Sequence, residues 1–175
     1  MATFGDTSAG GDTFPCSNDR AVLSKFTCAT AGTVTAINVR FDSTSSSGAS
    51  FKGLIYADDG AGNTPGTRLG VGNAVSVGAG GGDLQSDGLS VSVSAATDYW
   101  IGGVTSDFQP VFQLDTSPSN GSRMEATTYA SPAASWTEAG TTSGQLNTYA
   151  TYTEASTDPP VTYGPQGFQR TLLSM

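Results

Sequence analysis

The chain has 175 residues, a formal net charge of −8 and no histidine, and charged residues make up only 13% of it. This length suits one domain with a core of its own, while the strong acidity opposes binding to a phosphate backbone or to anionic lipid. The lack of histidine excludes Ser-His-Asp and Cys-His catalysis and most zinc sites. We therefore expect neither nucleic acid nor a membrane as a partner.

The N-terminal segment is rich in glycine, aspartate and threonine, with Phe4 and Phe14 as isolated aromatic residues. This composition predicts an extended N-terminal arm over residues 1–20. The sequence MATFGDTSAGG has neither the basic nor the apolar region of a signal peptide, and no apolar run approaches the ~20 residues of a membrane span. We therefore expect the chain to remain in the compartment where it is made.

Short apolar-patterned segments follow, separated by clusters of Gly, Ser, Asn and Pro, with no helical periodicity between them. GTVTAINVRF shifts its apolar phase between Ala36 and Ile37, which predicts a β-bulge. FKGLIYA is apolar on both faces, as in a central strand, whereas LSVSVSA alternates like a half-buried one. The predicted strands cover residues 24–29, 32–41, 51–57, 89–95, 98–106, 110–115, 123–130 and 147–155. Together they predict an all-β antiparallel sandwich or jelly roll over residues 21–156.

The two cysteines, Cys16 and Cys28, would close a short loop. In an oxidising compartment a disulfide there would stabilise the fold by about 3 kcal/mol. In the cytosol both would be free thiols. The sequence leaves these two alternatives open.

A loop that follows FKGLIYA offers oxygen ligands from Asp58, Asp59 and Asn63, which calcium could use. The loop lacks the alternate-position ligands and the closing glutamate of an EF-hand. The alternative is a structural connection that needs positive φ at Gly60 and Gly62. We favour the structural connection, and we expect no metal and no cofactor.

Paired carboxylates could cleave glycosides without histidine. The three glutamates, however, lie beside small polar residues rather than in an aromatic-flanked pocket. We therefore predict no enzymatic function.

Three aromatic residues are candidates for stacking on a sugar ring: Trp136, Tyr129 and Tyr149. Trp136 lies in a loop-like context, SPAASWTEAGTTSG. Such a tryptophan also commonly covers the open end of a sandwich. Carbohydrate binding is therefore the alternative function rather than the first.

The segment after residue 156, TDPPVTYGPQGFQRTLLSM, contains prolines and glycines that oppose a regular element, so we predict an extended C-terminal arm over residues 157–175. Its apolar content is too high for a simple solvated tail. The candidate partner-binding residues of the two arms are Phe4, Phe14, Tyr163, Phe168, Leu172, Leu173 and Met175.

Three segments, SKFTCATAGTVTAINVRF, FKGLIYADDGAGNTPGTRLG and LSVSVSAATDYWIGG, resemble in order a jelly-roll module of phage virion proteins and bacterial surface proteins. The resemblance covers about residues 23–105. The matching residues are Gly53, Ile55, Tyr56, Asp58, Pro65, Gly66, Tyr99 and Trp100. It implies a β-sandwich and brings no catalytic residues. Functions of that module include capsid decoration, spikes, fibres and glycan binding.

The resemblance implies a non-enzymatic phage virion structural protein, most simply a capsid decoration (cement) or head-spike subunit. We expect its arms to bind the major capsid protein or neighbouring virion subunits, with the chain forming a homo-oligomer, by analogy a trimer. Its location would be the virion, assembled in the host cytoplasm. The alternatives are a carbohydrate-binding module or fibre-tip adhesin, with a glycan as partner, and a bacterial surface or matrix protein.

Overall fold

The structure is a computed structural model that describes residues 1–61, 63–108, 110–116 and 121–156. These residues form fifteen strands and no helix, so none of them belongs to a helix that could cross a membrane. The strands are β1 (Ala2–Gly5), β2 (Asp12–Pro15), β3 (Arg20–Cys28), β4 (Gly32–Phe41), β5 (Ser50–Asp58), β6 (Pro65–Val71), β7 (Val75–Ser76), β8 (Gly82–Ser86), β9 (Val91–Val93), β10 (Thr97–Thr105), β11 (Val111–Asp115), β12 (Arg123–Ala126), β13 (Glu138–Thr141), β14 (Gln145–Leu146) and β15 (Thr148–Glu154).

The strands form two antiparallel sheets that pack against each other. Sheet A has the order β1-β15-β4-β11-β14, with β2 pairing with β11 while β8 and β9 pair with β4. Sheet B has the order β13-β12-β3-β10-β5-β6, with β7 beside β5. The predicted all-β sandwich is confirmed. The finer expectation of a jelly roll stays a prediction.

The phase shift predicted in β4 is present as a change of register against β15. Ala36 lies opposite Thr151 and Val34 opposite Tyr152, so Thr35 is the extra residue. The bulge is therefore confirmed, one residue before its predicted place. It allows Val34 and the apolar residues after Ala36 to face the same core.

Aromatic rings fill the core between the sheets. The Phe41 ring centroid lies 5.1 Å from that of Phe51 and 5.1 Å from that of Phe112. Toward the other end of the sandwich, the ring of Phe4 in β1 contacts the rings of Tyr99 and Tyr152. Ring pairs of this kind contribute about 0.5–1.5 kcal/mol beyond their buried area.

The first 20 residues do not form an arm, which corrects the sequence-based expectation. Strand β1 pairs with β15, and β2 pairs with β11. Phe4 is only 6% exposed, and Phe14 packs against the same core while partly buried. Pairing at the sheet edges satisfies the backbone of a segment whose composition resembles a loop. These two phenylalanines are therefore committed to the fold rather than free for a partner.

A second core lies on the outer face of sheet B. Its six central residues, all 0% exposed, are Ala21, Leu23, Leu54, Tyr56, Trp100 and Val104. The segment between β12 and β13, residues 127–137, covers them, and we call it the strap. The strap is held by hydrogen bonds from Tyr56 Oη to the Ala133 carbonyl at 2.7 Å and from the Arg68 amide to the Ala134 carbonyl at 2.9 Å. This layer explains why FKGLIYA is apolar on both faces.

Both cysteines are buried free thiols, so of the two alternatives the structure has the unbridged one. Cys16 is 3% exposed, and Cys28 Sγ lies 3.1 Å from the carbonyl oxygen of Thr30. Burial raises the pKa of each thiol above its usual value. Neither thiol is therefore activated as a nucleophile.

Candidate functional site

A charged network occupies one end of sheet B, where β3, β10 and β5 lie side by side. Trp100 Nε1 donates a hydrogen bond to Asp58 Oδ1 at 2.8 Å. Lys25 Nζ lies 3.6 Å from Asp58 Oδ2 and 3.6 Å from Asp98 Oδ2. Thr27 Oγ1 donates to Asp98 Oδ1 at 2.6 Å. The pairing register creates this arrangement because it places Lys25 directly opposite Trp100.

A cavity of about 580 Å³ opens beside this network, between the β5–β6 hairpin and the turn that joins β9 to β10. The residues that form its walls include Ala57, Asp58, Leu69, Ala96, Asp98 and Tyr99. Leu69 is one of the few large apolar side chains that the described part of the chain leaves exposed, at 40%. The volume falls within the range of about 300–1,000 Å³ that is usual for ligand pockets.

The walls of the cavity carry an excess of negative charge. The side chains of Asp58 and Asp98 are 20% and 38% exposed, and the side chain of Lys25 is 18% exposed. Two carboxylates facing one ammonium group leave one negative charge uncompensated. Lys25 Nζ also lies 5.8 Å from the centre of the Trp100 ring, which favours a cation there.

Asp59, the next residue along the chain, belongs to the turn rather than to the cavity. Its carboxylate accepts hydrogen bonds from the Ala61 amide, at 2.9 Å, and from the Thr64 hydroxyl. The Thr64 hydroxyl is the main reason that the pKa of Asp59 is below its usual value. The two adjacent aspartates therefore have separate sets of partners.

The same loop has the backbone conformation that the structural alternative required. Gly60 has a φ of 71° and Asn63 a φ of 56°, while Gly62 lies outside the described residues. Within the described ranges, no three or more His, Cys, Asp or Glu residues are grouped so that they could hold a metal ion. Hydrogen bonds within the turn account for the conformation of Asp59.

The structure brings together two of the three aromatic residues proposed for sugar stacking. Trp136 and Tyr129 both lie in the strap, where the Trp136 ring meets the Tyr56 ring edge-on at 5.5 Å between centroids. Lys52 Nζ lies 4.6 Å from the centre of the Tyr129 ring. Tyr149 is in β15, on the opposite sheet. The three rings therefore do not form one platform.

A buried carboxyl group, which the sequence did not single out, lies beneath the strap. Glu125 is 1% exposed, and its Oε1 accepts a hydrogen bond from the Thr137 amide at 2.8 Å. Its Oε2 has no hydrogen-bond partner among the described residues, nor do the buried Arg68 Nη1 and Trp136 Nε1. Burial raises the pKa of Glu125, against the opposing effects of the Thr137 amide and the Arg68 charge.

The cavity was also missed, although the sequence contains a weak signal for it. Lys25 is one of only two lysines and lies within a strand that is largely buried. The sequence singles out Asp58 as a possible calcium ligand and as part of the resemblance, and Tyr99 and Trp100 only as part of the resemblance. The remaining predicted partner-binding residues lie outside the described part of the chain: Tyr163, Phe168, Leu172, Leu173 and Met175.

Comparisons with known proteins gave no assignment: no family model matches the chain, and no curated protein or solved structure matches it either. The resemblance to a phage jelly-roll module therefore rests on the matching residues alone.

Proposed function

We propose that this chain is a non-enzymatic structural protein of a phage virion, a capsid decoration (cement) or head-spike subunit. The observation that carries the proposal is the contact network among the residues of the resemblance. Tyr56 lies opposite Trp100 in the β5–β10 pairing, and Asp58 accepts the indole hydrogen bond. Three of the residues that resemble the module are thus neighbours in the fold, which supports reading them as a fold signature.

Attachment in this proposal uses residues 157–175 together with the end of the sandwich from which they continue. Strand β15 ends at Glu154, and the Ala155 amide donates to the Ala31 carbonyl at 2.9 Å. A stable attachment requires roughly 1,000 Å² or more of buried surface. Many copies on a symmetric particle would multiply a modest single contact through avidity.

The partners in this proposal are the major capsid protein or neighbouring virion subunits, with the chain itself as a homo-oligomer. The net charge of −8 is compatible with production in many copies, because like charge keeps a protein soluble at high concentration.

Deletion of residues 157–175 tests the mode of attachment. The full chain, the deletion variant and a variant with the same residues in scrambled order are mixed with particles that lack the protein, and co-sedimentation is measured. We expect all three to unfold at similar temperatures and only the full chain to sediment with the particles. Undiminished binding by the deletion variant would show that this segment is not the attachment element.

A second candidate is a carbohydrate-binding module or fibre-tip adhesin. The supporting observation is the cavity, whose carboxylates could accept hydrogen bonds from sugar hydroxyl groups. A broad glycan array probed with the full chain tests it. Loss of binding in a Trp136→Ala variant that is still folded at the assay temperature would place the glycan on the strap, and an array without binding would argue against the candidate.

A further inference from the structure

We propose that the cavity beside Asp58 and Asp98 binds a basic side chain, an arginine or a lysine, of a partner protein. The identity of that partner as a virion subunit rests on the proposed function, whereas recognition of the basic group follows from the cavity itself. The proposal is carried by the charge of the cavity, its shape and its place on the molecule.

The charge of the cavity favours a cation. Lys25 lies at the same distance, 3.6 Å, from one oxygen of Asp58 and one of Asp98, so a single ammonium group is shared by two carboxylates. Asp98 is the more exposed of the two, with 38% of its side chain accessible. An incoming guanidinium group could bind Asp98 while Lys25 remained beside Asp58.

The shape of the cavity favours a long aliphatic side chain with a charged tip. Leu69, Ala57 and Ala96 provide apolar contact along the walls, and such contact suits the methylene groups of arginine or lysine. A sugar ring would need an exposed aromatic face. Tyr99 is only 6% exposed, and its ring packs against Phe4 at 6.1 Å between centroids. The cavity therefore suits a basic side chain better than a sugar.

The cavity lies at the end of the sandwich where the last strand, β15, ends. Glu154, at the end of β15, lies opposite Gly32, and Gly32 lies opposite Val93 in β9. Ser92, the neighbour of Val93, lines the cavity. The described part of the chain therefore ends, at residue 156, at the same end of the sandwich as the cavity.

Nuclear magnetic resonance titration of the full ¹⁵N-labelled chain tests the proposal. The probe is N-acetyl-arginine amide, and the matched control is N-acetyl-norleucine amide, which has an aliphatic stem without the charge. Methyl glucoside serves as a neutral sugar. We expect saturable shifts of the Leu69 and Thr97 amide signals with the arginine probe alone, and we expect added salt to weaken its binding.

Three substitutions are expected to change the affinity for the arginine probe in different ways. Asp98→Asn should weaken binding of the arginine probe by about tenfold, because a charge-assisted hydrogen bond is lost. Lys25→Gln should strengthen it, because a competing cation is removed. Asp107→Asn makes the same charge change as Asp98→Asn at the opposite end of β10, and it should leave the affinity unchanged. Thermal unfolding of each variant verifies that it is folded.

Equal shifts with the norleucine probe, unchanged affinity in Asp98→Asn, or weaker binding in Lys25→Gln would each overturn the proposal. Saturation by methyl glucoside instead would assign the cavity to glycan. Arginine binding by a chain that is absent from virus particles would refute the virion function while leaving the cavity assignment intact, so the two failures are distinguishable.

Discussion

The indole N–H of Trp100 donates a hydrogen bond to the carboxylate of Asp58 at 2.8 Å, and this bond joins the second core of the protein to its cavity. Trp100 is completely buried in the second core, whereas Asp58 forms part of the cavity wall. The orientation of the carboxylate is therefore fixed by a group that solvent cannot reach.

Replacement of Asp58 by alanine should destabilise the protein. The change removes the acceptor of a buried indole N–H and leaves Lys25 with Asp98 as its remaining carboxylate. We expect the free energy of unfolding to fall by about 1–3 kcal/mol, measured by urea denaturation. Asp107→Ala is the control, because Asp107 is exposed and should change stability by less than about 0.5 kcal/mol. Equal effects of the two changes would contradict the importance of the indole bond.

Trp136 should matter for stability whatever the protein binds. Its ring packs edge-on against Tyr56 and helps the strap to cover the second core. Because the ring is half-buried, we expect Trp136→Ala to cost about 2–3 kcal/mol, below the usual range for a fully buried tryptophan. Phe108→Ala is the control, since Phe108 is 61% exposed. A Trp136→Ala variant as stable as the control would mean that this ring does not help to hold the strap on the second core.

Stability should depend on pH through Glu125. Burial raises the pKa of this carboxyl in the folded protein, so the folded state holds its proton more tightly than the unfolded state does. The stability that this proton contributes is fully present below the unfolded-state pKa of about 4.3 and is lost as pH rises through the raised value.

Glu125→Gln removes this titration while its amide oxygen can still accept the Thr137 hydrogen bond. The variant should gain stability relative to the wild type as pH rises from about 4 toward neutrality. Urea denaturation of both proteins at several pH values measures the difference. Asp42 and Asp59, whose pKa values are lowered, contribute stability that is lost at low pH, but they are present in both proteins and cancel. A difference independent of pH would refute the assignment to Glu125.

The two cysteines should behave as buried thiols. Without reductant, the denatured chain should titrate two free thiols with Ellman's reagent, because Cys16 and Cys28 are unbridged. In the native protein both thiols should react slowly, because burial raises the pKa of each. The reagent also reaches them only when the fold opens locally. Denatured protein without free thiols would mean that a disulfide exists.

Local patterns predicted the strands that lie against the inter-sheet core. GTVTAINVRF and β4 coincide over residues 32–41, because the apolar phase of that strand, including its bulge, is visible in the sequence. Strands β1 and β2 were missed because each is short, and each is stabilised by a neighbouring strand rather than by its own composition.

The second core and the cavity depend on contacts between distant residues. The strap sequence has no periodic pattern, so nothing in SPAASW indicates that it covers Tyr56 and Trp100. The cavity combines Asp58, Leu69 and Asp98, which only strand pairing brings together. A single sequence contains no direct signal for such long-range contacts.

The copy number of this chain in purified virus particles from its source tests the proposed virion function most directly. Quantitative mass spectrometry would compare the chain with the major capsid protein of the same particles. A decoration protein should be present in hundreds of copies, and a head spike in a smaller fixed number. Complete absence from the particles would contradict the virion function and would favour the carbohydrate-binding alternative.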